Sequence, residues 1–527
     1  MWYSSQLFGI VFHSRWSDPG VMSHEASLRA DRDAPPERHR ANRSIRLEHA
    51  HAPYAESLQR YAGRIEVRAG VPGHVGDLDR GVADLLGGAL AWDIPPLTDG
   101  IDTEPDGGPS ALDAARALAA DAWGARRTWF LTNGASQGNL TACLALRHRG
   151  AHIVVTRSMH SSVTDGMAMA GLSPITVMPH VDPIRGMAHG ITPDELDAAL
   201  AAHPEAGAAW VVSPSYFGAV SDIAGLARIA HHHGVPLVVD EAWGAHFGFH
   251  PDLPVNALRL GADLVVSSTH KLGGSLGQSA MLHLGHGEFA DELGANIDRA
   301  LRMTSSTSES SLLLAGLDLA RRDLVTRTDR ITDSIAAVDR VRDVLRADSR
   351  FAIATDDICD DPAVHGIDPL RLVIDTRGTG LTGHEARQRL FHDHGVHVEM
   401  STDAVVVALV GAGSRIDEYA LIRAFTSLPH GIARDVVVHA LPRPGERVLD
   451  LRTAAFADTD VVSAGEAIGR ISADSLAAYP PGVPNVLPGE LITADVVDFL
   501  TASAEAPHGY VRGAIDPDMK VLRVVRT

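Results

Sequence analysis

The sequence predicts an α/β fold built on a mostly parallel sheet. Two observations carry that prediction. The runs "TWFLT" (128–132), "HIVVT" (152–156), "AAWVVS" (208–213), "PLVVD" (236–240) and "DLVVSS" (263–268) are short and apolar throughout, as strands covered on both faces must be. Between them lie helix-like stretches such as "PSALDAARALAADAWG" and "IAGLARIAHHHG". Strands alternating with helices favour parallel pairing, because each crossover returns the chain to the same edge. The chain is 527 residues long, with 45% hydrophobic and 21% charged residues. It has material for several domains and a substantial core.

Taken in order, residues 1–52 read as a flexible polar leader, with "MSHEASLRADRDAPPERHRANR" typical of it. The opening "MWYSSQLFGIVFHSRW" has no basic residue ahead of its apolar patch, unlike a signal peptide, and Met22 is an alternative start. "PYAESLQRYAG" places Tyr54, Leu58 and Tyr61 at helical spacing, a docking helix. Residues 53–325 form the major domain. The amphipathic stretch "ITDSIAAVDRVRDVLRAD" bridges to a smaller α+β domain over 326–435, with "LRLVIDTRGTG" and "AVVVALVGAGS" as strands. Residues 436–527, rich in proline and turns, form a C-terminal domain.

A formal net charge of -20 argues against nucleic acid as a partner. No apolar run approaches a membrane span. The two cysteines, Cys143 and Cys359, support neither a disulfide framework nor a CxxC metal site, which fits a reducing cytoplasm. His246 and His250 have no third ligand in view, so no metal is expected.

In parallel sheets ligands sit beyond the carboxyl ends of strands, and the chemistry gathers there. After "TWFLT", Gly134, Ala135 and Ser136 open a helix whose N–H groups and dipole suit a phosphate, although Ser136 could equally be a plain N-cap. Asp240 ends an apolar strand, where it either caps a turn or pairs with a cationic ring nitrogen; Glu241 beside it reads as easily as a structural acid. Lys271 lies beyond the next strand, in "SSTHKLGGSLGQ". A phosphate cradle, an aspartate and a lysine in that order are what pyridoxal 5'-phosphate requires: the lysine forms a Schiff base, and the aspartate keeps the ring nitrogen protonated. Ser268 and His270 join Ser136 as phosphate ligands. His160, past "HIVVT", is the candidate stacking ring, or simply a satisfied loop histidine.

The sequence resembles the Orn/Lys/Arg decarboxylase family of fold-type-I pyridoxal-phosphate enzymes from about residue 53 to the end. The resemblance rests on "VPGHVGD", "LTNGASQGN", "TRSMHSSV", "SPSYFGAVSDI", "VDEAWGAHFGFH", "GADLVVSSTHKLGGSLGQSAMLH", "LLLAGLDLARR" and "YPPGVPNVLPGE". It implies Lys271 as the Schiff-base lysine, Asp240 as the pyridinium partner, and His160 and Ala242 on the two ring faces. It also implies a short, wingless member of the family: a cytoplasmic homodimer or larger oligomer in polyamine metabolism. In such a dimer Ser306 and Thr307 reach the neighbour's phosphate. Some positions depart from the family pattern. Val75 replaces the lysine of "PGHK", Ser161 that of "HKS", Trp243 the histidine of "DEAHGAH", and Gly277 a Ser, Thr or Ala. "TSESS" stands where "TSPSY" is usual.

The expected reaction is decarboxylation of a basic amino acid (arginine, lysine or ornithine) to the amine and carbon dioxide. Lys271 or His160 would reprotonate Cα. Glu309, Glu399 and Glu490 are candidates for the substrate's distal cation, each equally readable as a structural acid. The alternatives are an aminotransferase or β/γ-eliminase on the same cofactor, which would want an arginine of the smaller domain on the α-carboxylate (Arg371 and Arg415 lie there, neither in an assignable motif), or a non-catalytic regulator that kept the fold.

Overall fold

A computed structural model describes residues 49–96, 109–435, 440–479, 482–506 and 509–526. Nearly all of the expected leader lies outside the described residues. The central sheet is built from β1 (Arg127–Leu131), β2 (His152–Thr156), β3 (Ser173–Val177), β4 (Ala206–Val212), β6 (Leu237–Asp240), β7 (Leu264–Ser267) and β8 (Ala280–Leu284). A two-residue β5 (Ala219–Val220) lies outside it. The strand order is β1-β8-β7-β6-β4-β2-β3, and only β8 runs antiparallel to its neighbours.

The apolar runs serve two cores at once. Val154 and Val239 face one apolar cluster, while Val155 and Val238 face another on the opposite side of the sheet. Alternation along a strand sends successive side chains to opposite faces, so a two-sided core demands the unbroken hydrophobicity seen in the sequence. The helices between strands start and stop where their ends are satisfied. The Ser110 hydroxyl accepts the Asp113 N–H at 3.1 Å ahead of the helix Ala111–Trp123, and Gly124 ends it at φ 74°.

Strand β3 was not read from the sequence because "SPITV" carries a proline and lies at the sheet edge. Strand β8 was missed because His283 interrupts its apolar pattern. That histidine is fully buried between strands, with the Thr128 hydroxyl 2.9 Å from Nδ1 and the Ser267 hydroxyl 3.1 Å from Nε2. Burial depresses its pKa to about 3, so it sits in the sheet as a neutral ring.

Further along come β9 (Ala352–Ile353), β10 (Gly366–Ile367), β11 (Arg371–Asp375), β12 (Met400–Ser401) and β13 (Val405–Leu409). All but β10, which pairs with β5, form a four-stranded sheet in the order β12-β13-β11-β9. The helix Thr328–Arg346 precedes them, where the amphipathic pattern was read. The last segment holds β14 (Thr459–Ser463), β15 (Leu476–Tyr479), β16 (Pro484–Val486), β17 (Tyr510–Arg512) and β18 (Val521–Val525). The expected docking helix is Pro53–Ala62, with Tyr54 and Leu58 buried. Its first turn is capped at long range: Asp318 accepts the Tyr54 N–H at 2.9 Å and pairs with Arg321 at 2.7 Å.

Candidate active site

Strands β1, β2, β4, β6 and β7 run in one direction, so the segments following them emerge at one edge of the sheet. Gly134, Ala135 and Ser136 follow β1, His160 follows β2, Asp240 ends β6, and Ser268, His270 and Lys271 follow β7. The convergence of these four segments is a consequence of topology.

Gly134–Ser136 form the first turn of the helix Gly134–Leu146. Ser136 is not its N-cap; Asn133 is, and among the described residues no side chain caps the helix. Its first N–H groups are thus left for an anion. Gly134 adopts φ +75°, a conformation that glycine takes at little cost. At Gly138 the helix presses on the sheet: a Cβ there would meet Val266 at 2.8 Å and Leu131 at 2.9 Å.

Asp240 is buried and forms no ion pair among the described residues. The Asn139 amide donates to its Oδ2 at 3.1 Å, and the Ala242 N–H donates to its Oδ1 at 3.1 Å. The same Asn139 amide donates to the Ser162 hydroxyl at 3.0 Å, which lies 2.7 Å from His160 Nδ1. His160 caps the helix Ser161–Ala170, its Nδ1 accepting the Ser162 N–H at 3.2 Å. Burial lowers its pKa; Asp240 opposes this, and the charges of Arg512 and Lys271 reinforce it. The result is a fixed, neutral, flat ring.

Lys271 lies with Nζ 3.7 Å from the centroid of the Trp243 ring. Burial pulls its amine down to about 8; Asp240 opposes this, Arg371 adds to it, and Glu399 opposes it. A lysine near neutrality is a usable nucleophile, whereas an ordinary surface lysine is almost wholly protonated. Ser268 is buried beside it, its carbonyl accepting the Lys271 N–H at 2.9 Å. His270 donates from Nδ1 to the Ser279 carbonyl at 2.8 Å. Ala242 is half-buried next to Trp243.

The three candidate acids separate. Glu399 lies within electrostatic reach of both Lys271 and Arg371. It lines a cavity of about 670 Å³ together with Tyr216, Tyr479 and Tyr510. Glu309 accepts the Thr132 hydroxyl at 3.3 Å just past β1, and burial raises its pKa. Glu490 is committed elsewhere. Arg157 donates to both of its oxygens, at 2.9 and 2.7 Å, Arg447 donates at 2.9 Å, and the Leu487 N–H at 2.9 Å. It has no oxygen to spare for an incoming cation. His246 and His250 also part company, the first on Asp368 at 3.1 Å and the second on the Thr332 hydroxyl at 2.9 Å.

Sequence reasoning passed over Asn139 and Ser162, which tie Asp240 to His160. Asn139 was within reach, since it lies three residues, about one helical turn, after Ser136. Tyr216 follows β4 and could have been sought at that strand end. Tyr479, Tyr510 and Arg512 come from the C-terminal segment. Arg512 donates to the Ser161 hydroxyl at 2.5 Å across a separation of 351 residues, for which local sequence holds no signal.

The Orn/Lys/Arg decarboxylase major-domain model matches residues 52–414, and that family's C-terminal-domain model matches residues 451–510. The chain is 32% identical to an arginine decarboxylase of Bacillus subtilis over 487 residues, covering 90% of this chain and 98% of that protein. It is 22% identical to the constitutive lysine decarboxylase of Escherichia coli, covering 76% and 70%. Among solved structures, a lysine decarboxylase of Francisella novicida superposes with a TM-score of 0.75 at 20% identity, covering 90% of this chain and 81% of that one. The E. coli constitutive lysine decarboxylase gives 0.73 at 18%, covering 91% and 82%. These two likenesses establish the fold. The strand-end cluster, the fold and the two family models lead to one conclusion: this chain belongs to the Orn/Lys/Arg decarboxylase family and is an amino-acid decarboxylase.

Proposed function

We propose that the enzyme decarboxylates arginine, using pyridoxal 5'-phosphate anchored on Lys271. The observation that carries this is the meeting of a buried lysine, whose amine burial pulls down to about 8, with a buried carboxylate that forms no ion pair among the described residues. Such a carboxylate is costly unless a cation arrives, and a protonated ring nitrogen is one. The uncapped helix at Gly134–Ser136 fits a phosphate, so the residues present suit the cofactor. When bound, pyridoxal phosphate supplies an aldehyde that captures amines and a ring that accepts the electron pair released from the Cα–carboxylate bond.

The remaining work falls to the chain's own residues. The amides of Gly134, Ala135 and Ser136, with Ser268 and His270, hold the phosphate. Asp240, oriented by the Asn139 amide and the Ala242 N–H, would hold the proton on the ring nitrogen. His160 and Ala242 flank the ring. Lys271 or His160 delivers the proton to Cα. Glu399 receives the distal cation. Arginine is favoured over lysine because relatives 32% identical are arginine decarboxylases, while the lysine decarboxylases are 22% identical. We assign the working form as a cytoplasmic homodimer in which Ser306 and Thr307 reach the partner's phosphate. Its major domain is residues 53–325, followed by a small domain and a C-terminal domain.

Purified protein with pyridoxal phosphate is assayed for carbon dioxide release from arginine, lysine and ornithine, beside Lys271→Ala and Glu399→Gln. Arginine turnover is expected, abolished in Lys271→Ala and shifted to a higher KM in Glu399→Gln. A keto acid in place of carbon dioxide would sink the reading.

A further inference from the structure

Trp243 carries two cations on one indole. Lys271 Nζ is 3.7 Å from the ring centroid and Arg371 Cζ is 4.7 Å from it. The two charges therefore lie within about 8 Å of each other, in a desolvated site where Coulomb forces are strong. Arg371 is fully buried at the start of β11 and comes from a different sheet than Lys271.

A buried network fixes this arginine. Arg371 Nη1 donates to the Tyr216 carbonyl at 2.8 Å, and its Nε lies 3.7 Å from Asp368 Oδ2. Asp368 Oδ1 is 3.1 Å from His246 Nε2 and accepts the Leu370 N–H at 3.0 Å. His246, Asp368 and Arg371 are all fully buried. Burial pushes the Asp368 carboxyl up, but His246 and Arg371 outweigh it and hold the group ionised. Two guanidinium nitrogens of Arg371, Nε and Nη2, have no hydrogen-bond partner among the described residues. A fixed, under-solvated cation is expensive, and packing alone does not explain keeping one beside a reactive amine.

We propose that the chain His246–Asp368–Arg371 holds a permanent positive charge against Trp243, and that Arg371 thereby acts as a positioning residue whose charge favours the unprotonated form of the Lys271 nitrogen against the indole's own attraction for a cation. The proposal rests on Lys271 being the cofactor anchor. The groups facing Lys271 are Asp240 from the end of β6, Glu399 beside β12, His160 from the helix cap and Arg371; of these only Arg371 is a permanent cation. Indole attracts cations to its face, so Trp243 lets the two approach without forming a hydrogen bond that would lock the lysine.

The test is a spectrophotometric pH titration of the bound cofactor in holoenzyme, alongside the pH profile of kcat/KM. Removing the Arg371 charge with R371Q should raise the apparent pKa by about one unit. R371K, which keeps the charge, should leave it near wild type. D368N keeps the cation and removes its counter-charge, so it should move the pKa downward, and it covers the case in which R371Q does not fold. Opposite shifts in R371Q and D368N establish the role. An unmoved D368N, an unmoved R371Q, or an R371K shift as large as that of R371Q overturns it. If wild type binds no cofactor through Lys271, shown by Lys271→Ala having the same spectrum, the anchor assignment fails and the proposal falls with it.

Discussion

Replacing Glu490 with glutamine removes one negative charge and leaves the shape of the side chain. In the structure that charge faces two guanidinium groups. Arg157 is completely buried, and it also donates from Nε to the Pro484 carbonyl at 2.7 Å and from Nη2 to the Asn485 carbonyl at 3.3 Å. Arg447 is 21% exposed and can turn toward water. Stranding one buried charge costs about 3–5 kcal/mol, and the hydrogen bonds a glutamine retains return about 1 kcal/mol. The net cost is therefore about 2–4 kcal/mol. The cluster ties the 484–490 segment to Arg157, three residues before His160, so the loss should loosen the C-terminal segment first. The assay is thermal unfolding combined with limited proteolysis mapped by mass spectrometry, because a chain of this size does not unfold as one unit. A fall of roughly 5–10 °C is expected, with early cleavage after residue 440 and KM unchanged in the folded fraction. An unchanged melting temperature with a raised KM would refute the reasoning and return Glu490 to the substrate's distal cation.

Three further outcomes are expected. The capture rate of pyridoxal phosphate by apoprotein should rise with pH through about 8 and level off above it, because only the unprotonated Lys271 amine attacks and its pKa sits near 8; a rise that continues beyond pH 10 would show an ordinary lysine. Gly138→Ala should cost about 1–3 kcal/mol by forcing the helix off Val266 and Leu131, and cofactor affinity should fall with it in equilibrium dialysis, since the same helix presents Gly134–Ser136. Asp318→Asn should strand the buried Arg321 and weaken the Tyr54 N–H cap, costing about 3 kcal/mol; hydrogen exchange over residues 53–62 should quicken while the central sheet stays protected.

The sequence by itself determined the parallel sheet and the positions of Gly134, His160, Asp240 and Lys271. Unbroken apolar strands flanked by helices have few arrangements, and each candidate site residue sits within a few positions of a strand end, where local pattern is informative. It also placed the helices Pro53–Ala62 and Thr328–Arg346, whose periodicity is a local property. Tertiary structure decided what local pattern cannot encode. It inserted β8 between β1 and β7, because two hydroxyls on neighbouring strands satisfy a buried histidine. It sorted three equivalent glutamates into one facing Lys271, one beside β1 and one locked between arginines. It brought Arg371 to Trp243 and Arg512 to Ser161 across long stretches of chain. Those partnerships arise from charge and packing between segments that meet only after folding, so no spacing in the sequence records them.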